Sequence, residues 1–356
     1  MSIQKIQINN FRNIENQFLE PKKGINYFVG NNAQGKTSFI EAIYYLGHNK
    51  SFKTTSIKNI IQNGKNEIFI QAIFKNTKIK LKKNNKNTFV ELDGKKILNS
   101  SFLSKLIPIQ LITPDRGFLV NGDNKNKRYY LDWGVFHVEH KFFELSKKYK
   151  KIQKNINTLI NTKQFKLEDK IQLSLWFKEF AKITTSINNI RINYLIDLQK
   201  INTSDFFKNI IVNLSSFKYV FNNGLPLGIK NNEEDIYDFL IKNTDKIIKN
   251  KYLKYGPHLA TIDFYFNNNK EHQLSRGEQK TLSIVFWLTQ VLHLTKQGIE
   301  PLILIDDLPS ELDKDKIKII INFLEKIKTQ VFITSIKPIN DCSFWNIENG
   351  EIVYNK

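Results

Sequence analysis

The sequence predicts an α/β protein in which both ends of the chain share one mixed sheet and flank an inserted, mainly helical lobe. An apolar segment at 24–30 leads through a glycine-containing turn into helical spacing over 36–46, as in a strand, loop and helix. Strand and helix patterns alternate again after residue 250, whereas 125–200 has few turn signals and long amphipathic spacing. Because parallel strands need helical crossovers, we expect the ends to build one sheet and the middle to be an insertion.

The individual elements follow from local patterns in chain order. The first residues alternate as a strand in SIQKIQI, and 67–92 alternates as short strands with polar turns, which predicts an antiparallel β subdomain. One or two long helices are expected over 125–200. Further strands are expected at 107–115, TIDFYF, PLILI and QVFIT, and further helices at 276–294 and 315–327. These elements suggest a first lobe made of 1–115 and 256–356 and an inserted lobe made of 116–255.

Composition limits the classes of function. The net charge is +20, but only five of the 54 basic residues are Arg, and the abundance of Lys fits an AT-rich genome as well as a basic surface. The charge favours a polyanion such as nucleic acid, although scattered Lys is also typical of a solvated face. The apolar region at 282–294 is too short to span a bilayer, and the N-terminal residues show no apolar signal segment. One cysteine, Cys342, excludes an internal disulfide framework, so we expect a cytoplasmic protein without a membrane partner.

A phosphate-binding loop follows the strand at 24–30. Its residues fit the pattern G-x-x-x-x-G-K-[ST]. The glycines let backbone N–H groups point at phosphate oxygens, and the helix that follows adds its positive dipole end. Lys36 is expected at the β- and γ-phosphates of ATP, and the Thr37 hydroxyl at Mg²⁺. The loop consists of Gly30, Asn31, Asn32, Ala33, Gln34, Gly35, Lys36 and Thr37.

Two carboxylates follow an apolar strand in PLILIDDLPSELD. They emerge at the carboxyl end of the strand, where α/β proteins place their sites. Because side chains alternate, Asp306 is expected to hold Mg²⁺ through water and Asp307 to face the water that attacks the γ-phosphate. An Asx turn at the next helix would explain one of these acids but not both.

A third motif lies in HQLSRGEQKTLSIVFWL. Ser275 and Glu278 have the spacing of a capping box, but this does not explain Gly277 in the first helical turn, where glycine costs about 1 kcal/mol relative to Ala. Leu-Ser-x-Gly before a helix is the signature of ATP-binding-cassette ATPases, in which it faces the nucleotide of the other subunit. The 245 residues from Gly30 to Ser275 exceed the spacing of transporter ATPases and lack the long coiled coil of SMC proteins. The fold class is therefore an ABC-type P-loop ATPase head, a mixed sheet plus an antiparallel β subdomain, with an inserted mainly helical lobe.

Nearly the whole chain resembles the RecF family of bacterial recombination mediators, which are ABC/SMC-type ATPases. The blocks that carry the resemblance occur in the family's order: INNFRNIENQ, EAIYYLGHNKSFKT, TPDRGFLVNGD, KRYYLDWGVFHVE, YGPHLA, LSRGEQK and IDDLPSELD. The YLDWGVFH and GPH blocks have no counterpart in transporter ATPases. The resemblance implies DNA repair and replication restart, with DNA damage (SOS) signalling and recombinase loading at gaps.

The resemblance also implies roles for single residues. Arg12 and Asn13 occupy the turn that approaches the nucleotide, and Gln110 is a candidate for the loop that senses the metal. Ser275 and Gly277 would act on the partner subunit's nucleotide, and 310–313 would cross the dimer interface. The implied partners are single-stranded and duplex DNA, RecO, RecR and a second copy of the chain bound through ATP.

The chain departs from the family's pattern at several positions. Lys127 stands where the family has Arg, and lysine cannot replace a bidentate arginine. Leu259, Ala260 and Thr261 follow Gly-Pro-His in place of charged residues. Ile336 occupies the switch position that is His in transporter ATPases, which fits slow hydrolysis.

Other conspicuous side chains have ordinary explanations. His137 and His140 have a spacing that suits a metal, but no third ligand cluster accompanies them, so structural or surface roles are expected. Trp133 and Phe136 are expected in the core and not as a base-stacking surface.

The sequence thus predicts an ATP-dependent clamp on DNA with weak, DNA-dependent ATPase activity. ATP would join two heads, and hydrolysis would release them. Two alternatives remain open at this point: an ATPase subunit of a transporter, and a DNA scaffold whose nucleotide site has decayed.

Overall fold

The computed structural model describes residues 2–97, 100–113, 118–161, 166–202, 216–308, 312–339 and 343–355. The chain forms two compact units. Unit 1 consists of Met1–Phe118 and Arg276–Lys356, and unit 2 of Leu119–Ser275. The predicted division gave 256–275 to the first lobe, whereas the structure places this segment in unit 2.

The described part of unit 1 contains the following elements in chain order: β1 Lys5–Phe11, β2 Ile14–Leu19, β3 Ile25–Val29, α1 Lys36–His48, a short 3₁₀ turn Ile57–Asn59, β4 Glu67–Phe74, β5 Thr77–Asn84, β6 Thr88–Leu92, β7 Lys95–Lys96, α2 Ser100–Leu106 and β8 Ile109–Ile112. After unit 2 the chain returns with helix Arg276–Lys296, strand Leu302–Ile305, helix Lys314–Ile327 and strands Val331–Ser335, Phe344–Glu348 and Glu351–Asn355.

In the described part of unit 2 these elements are α3 Asn124–Val138, α4 Phe142–Ile160, α5 Leu167–Asn202, β9 Phe217–Asn222, α6 Glu233–Lys242, α7 Thr244–Asn250, a 3₁₀ turn Pro257–Leu259, β10 Thr261–Phe266, β11 Asn269–Lys270 and a 3₁₀ turn Glu271–Gln273. The returning elements of unit 1 are therefore α8 Arg276–Lys296, β12 Leu302–Ile305, α9 Lys314–Ile327, β13 Val331–Ser335, β14 Phe344–Glu348 and β15 Glu351–Asn355.

A mixed sheet in unit 1 combines strands from both ends of the chain. Its order is β15-β14-β3-β13-β12-β8, and all neighbours are parallel except the hairpin of β14 and β15. The expectation that both ends share one sheet is thus confirmed. β3 and β12, which carry the two site motifs, are separated by β13 alone, so both motifs leave the sheet at the same edge.

The antiparallel subdomain of unit 1 has the order β2-β1-β4-β5-β6-β7. One face of this sheet buries alternating aliphatic side chains such as Ile6, Ile70 and Leu81. These side chains belong to the same core as Phe39 of α1 and Phe332 of β13. Ten of the 13 residues of α1 are buried, which is typical of a helix covered on all sides.

Unit 2 has more helices than expected, and it also contains a sheet. Where one or two helices were expected over 125–200, three form, because Glu139 takes an extended backbone and ends α3. β10 pairs with β9 and β11 in an antiparallel three-stranded sheet. Thr261 pairs with Asn222 and Phe266 with Phe217, which explains why 256–275 belongs to unit 2.

Candidate nucleotide site

The phosphate loop joins β3 to α1 at the carboxyl edge of the mixed sheet. Lys36 Nζ donates hydrogen bonds to the carbonyl oxygens of Gly30 (2.6 Å) and Asn31 (2.8 Å), so the loop closes around the ammonium group. Gly35 has a φ of +114°, and a Cβ there would lie 2.8 Å from the side-chain nitrogen of Asn13. Within the described residues no side chain caps α1 at Gly35, which leaves the first helical N–H groups for an anion.

The second motif contacts the phosphate loop directly. Thr37 Oγ1 donates to Asp306 Oδ1 at 3.2 Å, and Thr334 Oγ1 of β13 donates to the same oxygen at 2.7 Å. The Asp307 N–H donates to Thr334 Oγ1 at 2.9 Å. Thr334 thus fixes both acids, and Asp307 leaves the strand with a φ of +53°, a sparsely populated conformation for a residue other than glycine.

The charges of this site influence one another. Burial raises the pKa of Asp306, and hydrogen bonds from Thr334 and Thr37 together with the charge of Lys53 oppose that shift. Burial lowers the pKa of Lys36, and the negative charges of Asp307 and Asp306 oppose it. The site is therefore a partly desolvated pair of acids facing at least two lysines.

Arg12 contributes a partly buried ion pair beside the loop. Its Nη2 donates to Glu41 Oε1 at 2.9 Å and its Nε to Glu41 Oε2, and Nη1 donates to the Asn59 carbonyl oxygen at 3.2 Å. Glu41 is fully buried within α1 and also accepts a hydrogen bond from Ser51 Oγ. Neither Glu41 nor Ser51 was singled out from the sequence, although a carboxylate inside an otherwise apolar helix is a usable signal.

These side chains surround a cleft of about 320 Å³. Of the residues expected from the sequence, those that line it are Arg12, Asn32, Ala33, Gly35, Lys36, Thr37, Asp306 and Asp307. Ser38, Glu41 and Lys53 line it without having been expected. The cleft contains both positive and negative side chains and borders the start of α1. Because the N–H groups at a helix start attract anions, this arrangement suits a phosphorylated ligand.

Some expected residues support the loop instead of lining the cleft. Asn13 Nδ2 donates to the Gln34 carbonyl oxygen at 3.1 Å, and the Gly350 N–H donates to the same oxygen at 2.8 Å. The Asn349 N–H donates to Gln34 Oε1 at 2.6 Å. The turn between β14 and β15 therefore holds the phosphate loop, a contact that an Asn-Gly hairpin signal does not reveal.

Gln110 is not brought into the cleft. It lies inside β8, where it pairs with Ile303, and only 1% of its surface is exposed. Its Nε2 donates to the neighbouring Leu111 carbonyl oxygen at 3.3 Å. Because Gln110 precedes the carboxyl end of its strand, its side chain belongs to the sheet layer and not to the nucleotide edge.

The signature motif lies at the surface. Ser275 and Gly277 are exposed at the start of α8, and a Cβ added to Gly277 would meet no atom within 4 Å. The described residues thus give no steric reason for glycine at this position. Of the segment 310–313, only 312 and 313 lie within the described residues.

The structure shows where two departures from the family's pattern lie, Lys127 and Ile336. The Lys127 ammonium forms a buried ion pair with Glu271 within unit 2, so it faces the protein interior. Ile336 follows β13, is 42% exposed, and lines a second cavity together with Asp307. The switch position thus carries a side chain that cannot donate a hydrogen bond.

The aromatic and imidazole groups of α3 are structural. Trp133 is buried, as expected, and its ring meets the ring of His137 edge-on at 4.8 Å. Burial lowers the pKa of His137 to about 4. Among the described residues no group of His, Cys, Asp and Glu side chains could hold a metal by itself. None of the described helices combines the length and apolarity that a bilayer crossing requires.

A phosphate loop in contact with a strand-end acid pair, two sheets around α1 and an inserted unit define the head of an ABC/SMC-type ATPase. The family model of the RecF/RecN/SMC N-terminal domain matches residues 2–340. The RecF protein of Pseudoalteromonas translucida is 34% identical over 94% of this chain and 92% of its own, and that of Aliivibrio salmonicida 32% identical over 99% of both. The chain therefore belongs to the family of the DNA replication and repair protein RecF.

Solved structures agree with this fold. The recombination mediator protein RecF-ATP of the RecFOR pathway superposes with a TM-score of 0.86 at 23% identity, covering 99% of this chain and 97% of that one. A Pyrococcus furiosus Smc head with an extended coiled coil gives a TM-score of 0.58 at 14% identity, covering 99% and 96%. The predicted family and fold class are thus confirmed.

Proposed function

We propose that this chain is a cytoplasmic, ATP-dependent DNA-binding protein of recombinational repair and replication restart. One observation carries the proposal: the contact of Thr37 with Asp306 joins the two ATPase motifs, which lie far apart in the sequence, in one cleft with Lys36. The names of the relatives, DNA replication and repair protein RecF, supply the biological setting.

ATP fits the cleft by the chemistry of its lining. Lys36 and the N–H groups at the start of α1 would neutralise the phosphates. Asp307 would orient and deprotonate the attacking water, because it leaves the strand beside Asp306 and close to Lys36. Ile336 would make hydrolysis slow, since it offers no hydrogen bond to the terminal phosphate.

The donor set also fits Mg²⁺. Thr37 Oγ1 and Asp306 Oδ1 are hard oxygen donors 3.2 Å apart. Thr37 would hold the cation directly, and Asp306 would hold it through water. When bound, Mg²⁺ would offset the charge of the phosphates. Asp306 must be ionised for this role, and the hydrogen bonds from Thr334 and Thr37 favour that form.

We further propose that ATP joins two copies of the chain. The exposed Ser275 and Gly277 at the start of α8 would complete the partner's site, which explains a glycine that its own chain does not require. The joined pair would clamp duplex DNA or gaps with single-stranded segments, and hydrolysis would release it. RecO and RecR are proposed partners because the similar RecF-ATP structure belongs to the RecFOR pathway.

The two alternatives are less well supported. A transporter subunit would need a surface for membrane helices, and transporter ATPases lack the YLDWGVFH block that this chain carries. A scaffold with a decayed site would not be expected to keep Lys36, Thr37, Asp306 and Asp307 together in one cleft. ATP turnover that is lost in Asp307→Asn would exclude the scaffold.

Sedimentation with ATP, with ADP and without nucleotide tests the clamp. Wild type should dimerise with ATP alone and retain gapped DNA, whereas Lys36→Ala should stay monomeric with at least a tenfold loss of ATP affinity, because the phosphates lose their point charge. The exposed Lys23→Ala is the matched control for removing one positive charge. ATP-dependent dimers of Lys36→Ala would overturn the proposal.

A further inference from the structure

Within the described part of unit 1, the antiparallel sheet has a second face whose side chains are exposed or partly exposed. This outer face carries Phe69, Lys82 and Phe89, which pair across β4, β5 and β6 in one row. Phe89 is 38% exposed, and Phe18 on β2 of the same sheet is 57% exposed. Because the solvent face of an antiparallel sheet is ordinarily polar, these exposed rings need an explanation.

Positive charge accompanies the rings. The Lys82 ammonium lies 5.6 Å from the centre of the Phe69 ring, and that of Lys5 lies 5.8 Å from the centre of Phe18. Lys78 and Lys82 are exposed on the same face of β5. Three acids on this face reduce the charge: Glu91 pairs with Lys80 at 2.6 Å, Glu20 pairs with Lys5 at 2.8 Å, and Glu67 precedes Phe69 on the same face of β4. Lys78 and Lys82 leave a small positive surplus over these acids.

The spacing of the rings and of the lysine between them suits a polymer of flat, charged units such as nucleotides. Phe69 and Phe89 stand two strands apart, which is about 10 Å at the ordinary strand separation, and Lys82 lies between them. A row of aromatic rings interleaved with lysines is the combination that binds single-stranded nucleic acid, by stacking of bases and by attraction of the phosphates. A duplex hides the faces of its bases and would leave the rings without a role.

We propose that this outer face, defined by Phe18, Phe69, Phe89, Lys78 and Lys82, binds single-stranded DNA. Phe89 stacks on a base, the half-buried Phe69 borders the next one, and the two lysines contact the phosphates. This contact needs no nucleotide in the cleft, and it rests on the proposed function only in the choice of DNA as the polymer. It gives one unit a means to recognise the unpaired segment of a gap.

Fluorescence anisotropy of the full chain with a labelled oligo(dT) 20-mer and with a 20-base-pair duplex, both without nucleotide, tests the proposal. Phe89→Ala should weaken oligo(dT) binding about tenfold and leave duplex binding unchanged. Phe102→Ala removes an even more exposed phenylalanine (47%) from α2 of the same unit and should change neither. Phe89→Trp should bind oligo(dT) like wild type, with its added fluorescence quenched by oligo(dT) and not by the duplex.

Three results would overturn the assignment. In the first, Phe89→Ala loses affinity equally for the duplex and the single strand. In the second, Phe89→Ala binds oligo(dT) like wild type. In the third, Phe89→Ala changes the self-association of the chain without changing DNA binding, which would indicate a protein partner. Lys36→Ala separates this proposal from the clamp, because it should lose the ATP-dependent dimer and keep the nucleotide-free oligo(dT) affinity.

Discussion

Glu41 shows how one residue can link the stability of the head to its site. Its carboxylate is fully buried and is compensated by the Arg12 guanidinium and the Ser51 hydroxyl. Arg12 in turn lines the nucleotide cleft. The same arginine therefore has two roles, and a single substitution at Arg12 would disturb both of them.

A double variant separates these two roles. Arg12→Ala should lower the free energy of unfolding by about 3 kcal/mol, because it leaves a buried carboxylate without its partner. Arg12→Ala/Glu41→Gln should recover much of that stability, since the amide is uncharged, but should not recover ATP affinity. Urea unfolding and ATP titration measure the two effects, and full stability of the single variant would contradict the role assigned to Glu41.

At the scale of elements, two turns that are remote in sequence meet at the phosphate loop. The turn after β1 supplies Asn13, the turn after β14 supplies Asn349 and Gly350, and both hold Gln34. A Cβ at Gly350 would lie 2.1 Å from the Asn13 carbonyl oxygen, so the turns are in close contact. The position of the loop thus depends on two hairpins in addition to β3 and α1.

Gly350 and Gly94 have nearly the same φ but different surroundings, so a comparison of the two separates steric contact from backbone strain. Gly350 has a φ of +85° and Gly94 a φ of +83°, but only Gly350 has a close neighbour. Gly94→Ala should cost about 1 kcal/mol of unfolding free energy from backbone strain alone. Gly350→Ala should cost clearly more and also weaken ATP binding, as measured by chemical unfolding and calorimetry. Equal effects of both variants on ATP binding would argue against the hairpin support.

The site residues that could be predicted are those that belong to a motif of neighbouring residues in the sequence. Lys36 and Asp306 were predictable because each motif lies within a dozen residues, and because parallel strands bring their carboxyl ends to one edge. Lys53 and Glu41 were not singled out, since nothing local tells which charged side chain of a segment will face a cleft. Gln110 was placed by resemblance alone, and its position within β8 separates it from that edge.

At the scale of the whole molecule, two imidazoles of unit 2 make folding sensitive to acid. His137 is 5% exposed in unit 2, and burial lowers its pKa to about 4 from an ordinary value of 6.5. Burial also lowers the pKa of His258, in the same unit, to about 4. Between pH 6.5 and 4 the unfolded chain binds protons at these groups that the folded chain does not, so stability falls as the pH falls.

Unfolding at pH 7 and pH 5 measures this effect. His137 alone should lower the free energy of unfolding by about 2 kcal/mol over that interval. His137→Phe keeps a ring against Trp133 and should remove this share of the pH dependence, whereas His140→Phe, at an exposed position, should not. An unchanged pH dependence in His137→Phe would show that His137 does not remain neutral in the folded state.

The interleaved sheet of unit 1 has a consequence for biosynthesis. β3 lies between β13 and β14, and both of these neighbours are translated after all of unit 2. Until then a nascent chain would carry a phosphate loop without its supporting strands. The competence to bind nucleotide would therefore arise only after β13 and β14 have been made.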